Sequence, residues 1–270
     1  MVICIHCLPS DIIIRPFLRS AVPLFFLMTS YFFFFKIRLC ESEKEERHTL
    51  MSYVKRTMNL YLFWFVVFFP LTIIYRKWYQ DFNCMTPLII LRDFLFGSTF
   101  KGSWFLMASV IDVILVWYLW KYLNKYVLLL ICVIAYVFSC LASNYYYSLD
   151  TMGGFFNFYQ GILKKPYNSF PVGLIFVFCG RYLAETRIIF SRKTLFFSIM
   201  LSLLMLILES TFVKNNGWVK ADDTYFCLLP FCLSVFISLG QWDYPLKTDT
   251  RILRNASTIF YCSHISIYPH

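Results

Sequence analysis

Apolar residues arrive in this chain in blocks, and that blocking constrains the fold more than any other feature. Nine apolar segments can be read: Met1–Leu8, Phe17–Phe35, Leu60–Ile74, Trp104–Trp120, Val127–Leu141, Pro171–Leu183, Leu195–Val213, Phe226–Leu239 and Thr258–Tyr268. Charged residues gather in the short stretches between them. Lipid offers no partner to a backbone N–H or C=O, so such a segment stays in a bilayer only as a helix. The expectation is an all-α, polytopic transmembrane helix bundle. At about 20 residues per span, the 270 residues hold about nine to ten spans. The first and last segments fall short of a span, so both are read as incomplete, with a piece lacking at each end of the chain.

Composition supports that expectation. Hydrophobic residues make up 59% of the chain and charged residues only 15%, against about 25% charged in a soluble domain. No soluble domain and no internal repeat is visible, so residues 1–270 read as a single membrane-embedded domain with the lipid bilayer as its first partner. The formal net charge is +10. It is scattered through loops rather than gathered on one face, which argues for control of topology and against nucleic acid.

Lys and Arg counted by alternate loops give fifteen on one side and ten on the other. The richer, shorter loops are expected to face the cytoplasm. That places Met1 toward the cytoplasm and Ser10 toward the outside. Two stretches read as interfacial. Pro87–Phe96, interrupted by Arg92-Asp93, is expected to be an amphipathic surface helix. The aromatic-rich Asn144–Asn168 is expected to be an external loop or re-entrant cap. Glu41–Arg47 (ESEKEER) reads as a solvated cytoplasmic turn.

A buried ionisable group costs a few kcal/mol in lipid, so each one is a functional candidate. His6 lies in the apolar run VICIHCLP. Imidazole titrates near pH 6.5 and can take a proton from a hydroxyl and return it; the alternative is a histidine near the headgroups bonding a neighbouring helix. Lys55 and Arg56 stand at the mouth of the third segment. They read either as positive-inside anchors or as a clamp on phosphates, for which Arg offers a planar fork. Asp112, in the middle of Trp104–Trp120, must face the bundle interior and be paired or protonated. Glu209 either snorkels or supports a site. His264 sits in the last apolar run. Cys4-x-x-Cys7 has no companion pair, and no metal site is expected.

Several stretches, in order, resemble the acyltransferase-3 family of integral membrane acyltransferases, especially the branch that O-acetylates sugars and polysaccharides. VICIHCLP resembles the end of that family's first helix. AVPLFFLMTSYFFFFK, with Ser30 and Tyr31, looks like its second, and YVKRTMNLYLFW is similar to the basic opening of its third. GSWFLMASVIDVILVWYL resembles the helix bearing Trp-Phe-Leu, NSFPVGLIFVFCGRYLAE the glycine-bearing helix, and STIFYCSHISIYPH a late helix with His264.

The resemblance implies transfer of an acyl group, commonly acetyl from acetyl-CoA, to a hydroxyl of a cell-surface glycan or lipid-linked sugar. It implies a multi-pass protein of a bacterial inner (plasma) membrane. By position, His6 becomes the catalytic residue, as general base or transient acyl carrier. Arg56 takes the first place of an Arg-x-x-Arg element that contacts coenzyme A, the second place being held by Asn59. Ser103, beside Trp104, stands where family members often carry a His. Ser30, Tyr31, Ser103, Trp104, Asp112, Glu209 and His264 are expected to bind substrate or support the site. Two alternatives stay open: a flippase-like transporter of a lipid-linked sugar, and an inactive remnant of the acyltransferase.

Overall fold

The computed structural model describes residues 14–76, 83–96, 103–186 and 188–241. The expected segments Met1–Leu8 and Thr258–Tyr268, with His6 and His264, lie outside the described residues. The elements found are helical: α1 (Ile14–Arg19), α2 (Ala21–Arg38), α3 (Glu43–Arg76), α4 (Thr86–Phe96), α5 (Trp104–Tyr122), α6 (Lys125–Ser143), α7 (Gly153–Leu163), α8 (Phe170–Glu185), α9 (Arg192–Asn215) and α10 (Leu228–Gly240), plus short 3-10 turns. No strand occurs among the described residues.

Four of these units are long and apolar enough to cross a membrane: Ile14–Arg38, Trp104–Tyr122, Lys125–Ser143 and Arg192–Asn215. Helix α3 is longer, at 34 residues, but its first turns are charged. Helices α8 and α10 have 16 and 13 residues, so at 1.5 Å per residue neither matches a hydrocarbon core of about 30 Å. Helix α8 is central instead. Eleven of its sixteen residues are buried, and they run all round the helix, as expected for a helix enclosed by others. It packs against α2, α5 and α6. The outer helices reverse the soluble pattern. On α9, Phe196, Phe197, Leu204, Leu208 and Phe212 are exposed while Ser202 and Ser210 are buried. Apolar groups outward and small polar groups inward is the arrangement a lipid-facing helix requires.

The polar contacts separate into two ends. At the first, Lys121 pairs with Glu43 and Glu46, Lys125 pairs with Glu185, Arg38 donates to the Ala184 carbonyl, and Gln241 donates to the Ile188 carbonyl. At the second, Arg15 and Lys214 pair with Asp222, Arg19 with Asp223, and Lys164 and Arg92 with Asp93. The loops alternate between the ends as the Lys and Arg pattern implies.

One local expectation needs correction. The stretch Glu41–Arg47 is not simply a solvated turn, because α3 begins at Glu43. The Ser42 Oγ accepts from the Glu45 N–H, Glu43 and Arg47 are bonded one turn apart, and three acids occupy the first turn. All three features favour a helix start. Of the two readings of Asn144–Asn168, loop or cap, the structure has a folded cap. It holds α7 between 3-10 turns, and Phe156 and Tyr167 are buried beneath it. The expected helix over Pro87–Phe96 is present as α4. Its Arg92 also donates to the Gly161 carbonyl of α7 at 2.6 Å.

Candidate active site

The most costly group in the interior is Asp112. It lies midway along α5, is fully buried, and neither carboxylate oxygen meets a hydrogen-bond donor among the described residues. Ser109, one turn earlier on the same helix, is also buried and donates to the Leu106 carbonyl at 2.8 Å. From α3, Tyr53 reaches the same region. Its ring is buried, its hydroxyl closes no hydrogen bond among the described residues, and the charges of Arg56 and Asp112 act on it. Tyr53 and Arg56 are three residues apart, so they are neighbours on the α3 surface.

Helix α8 closes this region with two glycines. A Cβ on Gly173 would overlap the Asp112 carboxylate and come within 2.7 Å of the Phe26 ring. A Cβ on Gly180 would overlap the Ser30 hydroxyl and stand 3.0 Å from the Leu27 carbonyl oxygen. The two glycines are seven residues apart, two helical turns, and so share one face. That face lets α8 approach α2 and α5 more closely than any side chain would allow.

The residues singled out in the sequence divide clearly. Asp112 lies beside Ser109 and Tyr53, whereas Arg56 is exposed, one turn from Tyr53 on α3. Lys55 and Asn59 are exposed and fall on a different face of α3 from Tyr53, by the 3.6-residue period. Ser30 is buried, its hydroxyl donating to the Phe26 carbonyl at 2.6 Å. Tyr31 turns away and packs edge-on against Phe236 of α10, at 5.3 Å between centroids. Ser103 is buried at the start of α5, where its carbonyl accepts from the Leu106 N–H. Trp104 leans on Phe26 at 6.2 Å.

Glu209 has a structural assignment. Its carboxylate accepts from the backbone N–H of Phe226 at 2.7 Å and of Cys227 at 2.8 Å, and from the Tyr145 hydroxyl at 2.9 Å. Those amides open α10, so Glu209 caps that helix from α9. Nearby, Tyr225 donates to Asp222 and lies 3.1 Å from the Ser210 hydroxyl. Burial first, then the Asp222 carboxylate, pushes the Tyr225 phenol above its ordinary range, so it stays a donor.

Four residues escaped the sequence reading. Tyr53 and Ser109 carry a faint signal, each lying one turn from a residue already suspected. Gly173 and Gly180 matter only through a neighbouring helix. Among the described residues no group of three or more His, Cys, Asp or Glu gathers to hold a metal.

The chain matches a family described as "Acyltransferase domain" over residues 1–269. It belongs to the acyltransferase-3 family. The all-helical membrane bundle is therefore a membrane acyltransferase domain. Similar curated proteins are two from Enterococcus faecalis named amino-acid racemase and one from Enterococcus gallinarum named serine/alanine racemase. The first two are 26% identical over 252 residues and 28% identical over 264. The third is 24% identical over 269 residues. Each alignment takes in 92% of this chain and 33%, 36% and 36% of those proteins in turn. The chain thus spans about a third of the length of the curated relatives it matches. No solved structure matches it.

Proposed function

We propose that this acyltransferase-3 domain transfers an acyl group, acetyl in the simplest case, from acyl-CoA to a hydroxyl of a cell-surface glycan or lipid-linked sugar. The observation that carries the reading is the family match along nearly the whole chain. The racemase names belong to proteins about three times the aligned length. This chain aligns with only about a third of each and itself matches the acyltransferase family over residues 1–269, so transfer is the reading preferred for it. The same match favours an enzyme over a flippase-like transporter.

In this reading the protein sits in a bacterial plasma membrane with the Lys121 end toward the cytoplasm. Acyl-CoA arrives from that end, and Lys55, Arg56 and Asn59 meet its phosphates. His6 acts at the thioester in one of two ways. As a general base it takes the acceptor hydroxyl's proton while the oxygen attacks the acyl carbon; the C–S bond breaks and the coenzyme thiolate leaves. As an acyl carrier it is itself acylated, and the acceptor hydroxyl then displaces the imidazole. Asp112 and Tyr53 supply polar groups without a partner among the described residues, Ser109 stands beside them, and Gly173 and Gly180 fix the helices around them. Ser30, Ser103 and Trp104 support that packing. His264 is kept as a residue that binds substrate or supports the site.

The test uses the purified protein in lipid with acyl-labelled CoA and a crude lipid-linked glycan fraction. Label is expected to pass to the glycan fraction with wild-type protein and not with His6→Ala at equal expression. Transfer that survives His6→Ala would remove His6 from the mechanism. Absence of transfer and of donor hydrolysis by the wild type would support the inactive-remnant reading.

A further inference from the structure

Among the described residues, most basic side chains at both ends of the bundle meet a carboxylate or an aromatic ring, and one groove gathers three that do neither. At the Asp222 end, Arg15, Arg19, Lys214, Lys164 and Arg92 all meet a carboxylate. At the opposite end the turn between α2 and α3 holds a groove of about 530 Å³, and Lys36, Lys44 and His48 line it. Among the described residues none of these three makes an ion pair. The acids close by are engaged elsewhere. Glu43 and Glu46 turn to Lys121, and Glu43 also bonds Arg47. Glu45 borders the groove, but one of its oxygens accepts the Glu41 backbone N–H at 3.0 Å.

The groove also has a direction. Lys44, His48, Lys55 and Asn59 are separated by four, seven and four residues, so they follow one face of α3. From Lys44 to Lys55 is eleven residues, about 16 Å of helix. A polar, largely cationic track therefore leads from the groove, along the surface of α3, to Lys55 and Asn59, two of the three positions already assigned to coenzyme A.

We propose that the groove between α2 and α3 is the docking site for the phosphate-bearing nucleotide end of the acyl donor, with Lys36 and Lys44 as its principal contacts. The inference rests on the acyl-CoA reading and extends it. Lys55 and Asn59 then meet the arm that leaves the groove rather than the nucleotide itself. Unpaired ammonium groups around an open cavity suit a multiply charged phosphate ligand. The shared chemistry is a phosphate anion, and an anionic lipid headgroup is the competing source. The nucleotide is preferred because the three basic groups line one groove, and the α3 face that leads from it reaches residues assigned to coenzyme A.

The test measures coenzyme A binding by calorimetry to the full chain in nanodiscs of zwitterionic lipid, with a parallel set containing anionic lipid. Lys36 and Lys44 are exposed, so the double variant Lys36→Ala/Lys44→Ala is expected to fold. Its affinity for coenzyme A should fall by roughly ten- to a hundredfold, whereas Lys165→Ala at the other end leaves affinity unchanged. Wild-type affinity should drop with added salt and persist in anionic lipid. Wild-type binding that is indifferent to the double variant would overturn the inference and leave the acyl-CoA reading standing. Binding abolished by anionic lipid would assign the groove to headgroups and overturn it as well. No binding of coenzyme A by the wild type in either lipid would bring down the acyl-CoA reading itself.

Discussion

Gly173 of α8 stands against the carboxylate of Asp112 in α5, with no room between them for a methyl group. This contact joins the central helix to the buried polar region. It predicts that Gly173→Ala destabilises the protein by about 1–3 kcal/mol, the usual cost of overpacking. Asp112→Ala should recover part of that loss, because the carboxylate is gone while the Phe26 ring remains in the way, and the two changes should be non-additive. Thermal unfolding in detergent, run as a double-mutant cycle, measures the coupling. Additive effects would mean that the two residues do not share the space described.

Glu209 is expected to matter for stability before chemistry. Glu209→Gln removes the negative charge and one of the two acceptor oxygens that meet the amides of Phe226 and Cys227. A loss of about 1–3 kcal/mol follows, typical of a charge-assisted bond to a backbone amide. Hydrogen exchange should show the first turn of α10 opening while α5 keeps its protection.

Arg181 is held between two rings, at 4.7 Å from Phe34 and 4.6 Å from Trp120, and donates to the Val116 carbonyl at 3.2 Å. A planar guanidinium can stack and donate at once; an ammonium cannot. Arg181→Lys should therefore lower stability by about 1–2 kcal/mol despite keeping the charge. A thermal midpoint equal to that of the wild type would show that only the charge matters.

Acid should act on the Lys121 end through Glu43. The hydrogen bond from Arg47, then the Lys121 charge, holds the Glu43 carboxyl below its ordinary value of 4.5. A carboxyl lowered on folding contributes stability above its unfolded value and loses it as pH falls through the folded one. The midpoint difference between wild type and Glu43→Gln should be constant from neutral pH to about 5 and shrink below about 4.5. A difference that stays level through that range would place the stabilisation elsewhere.

The helices best foreseen from sequence are those whose apolar run is also their whole length. Trp104–Trp120 became Trp104–Tyr122, and Leu195–Val213 became Arg192–Asn215. Hydropathy marks what lipid accepts, so it missed the charged opening of α3, which is held by local capping and dipole effects. It also missed α7, a helix inside an aromatic cap. The candidate site was legible in part. Asp112 announces itself by the cost of a carboxyl at mid-span. Gly173 and Gly180 have no such signal, because their role depends on how near α2 and α5 come. Glu209 looked like a site residue because its partners, the amides of Phe226 and Cys227, lie beyond a turn and belong to another helix.

The central claim is transfer of an acyl group to a cell-surface glycan, and mass spectrometry of those glycans tests it most directly. Cells with the gene, cells without it, and cells carrying His6→Ala at matched expression are compared. Transfer predicts glycans heavier by one acyl group only in cells with the wild-type gene. Identical glycan masses in all three, with the protein present in the membrane, would contradict it.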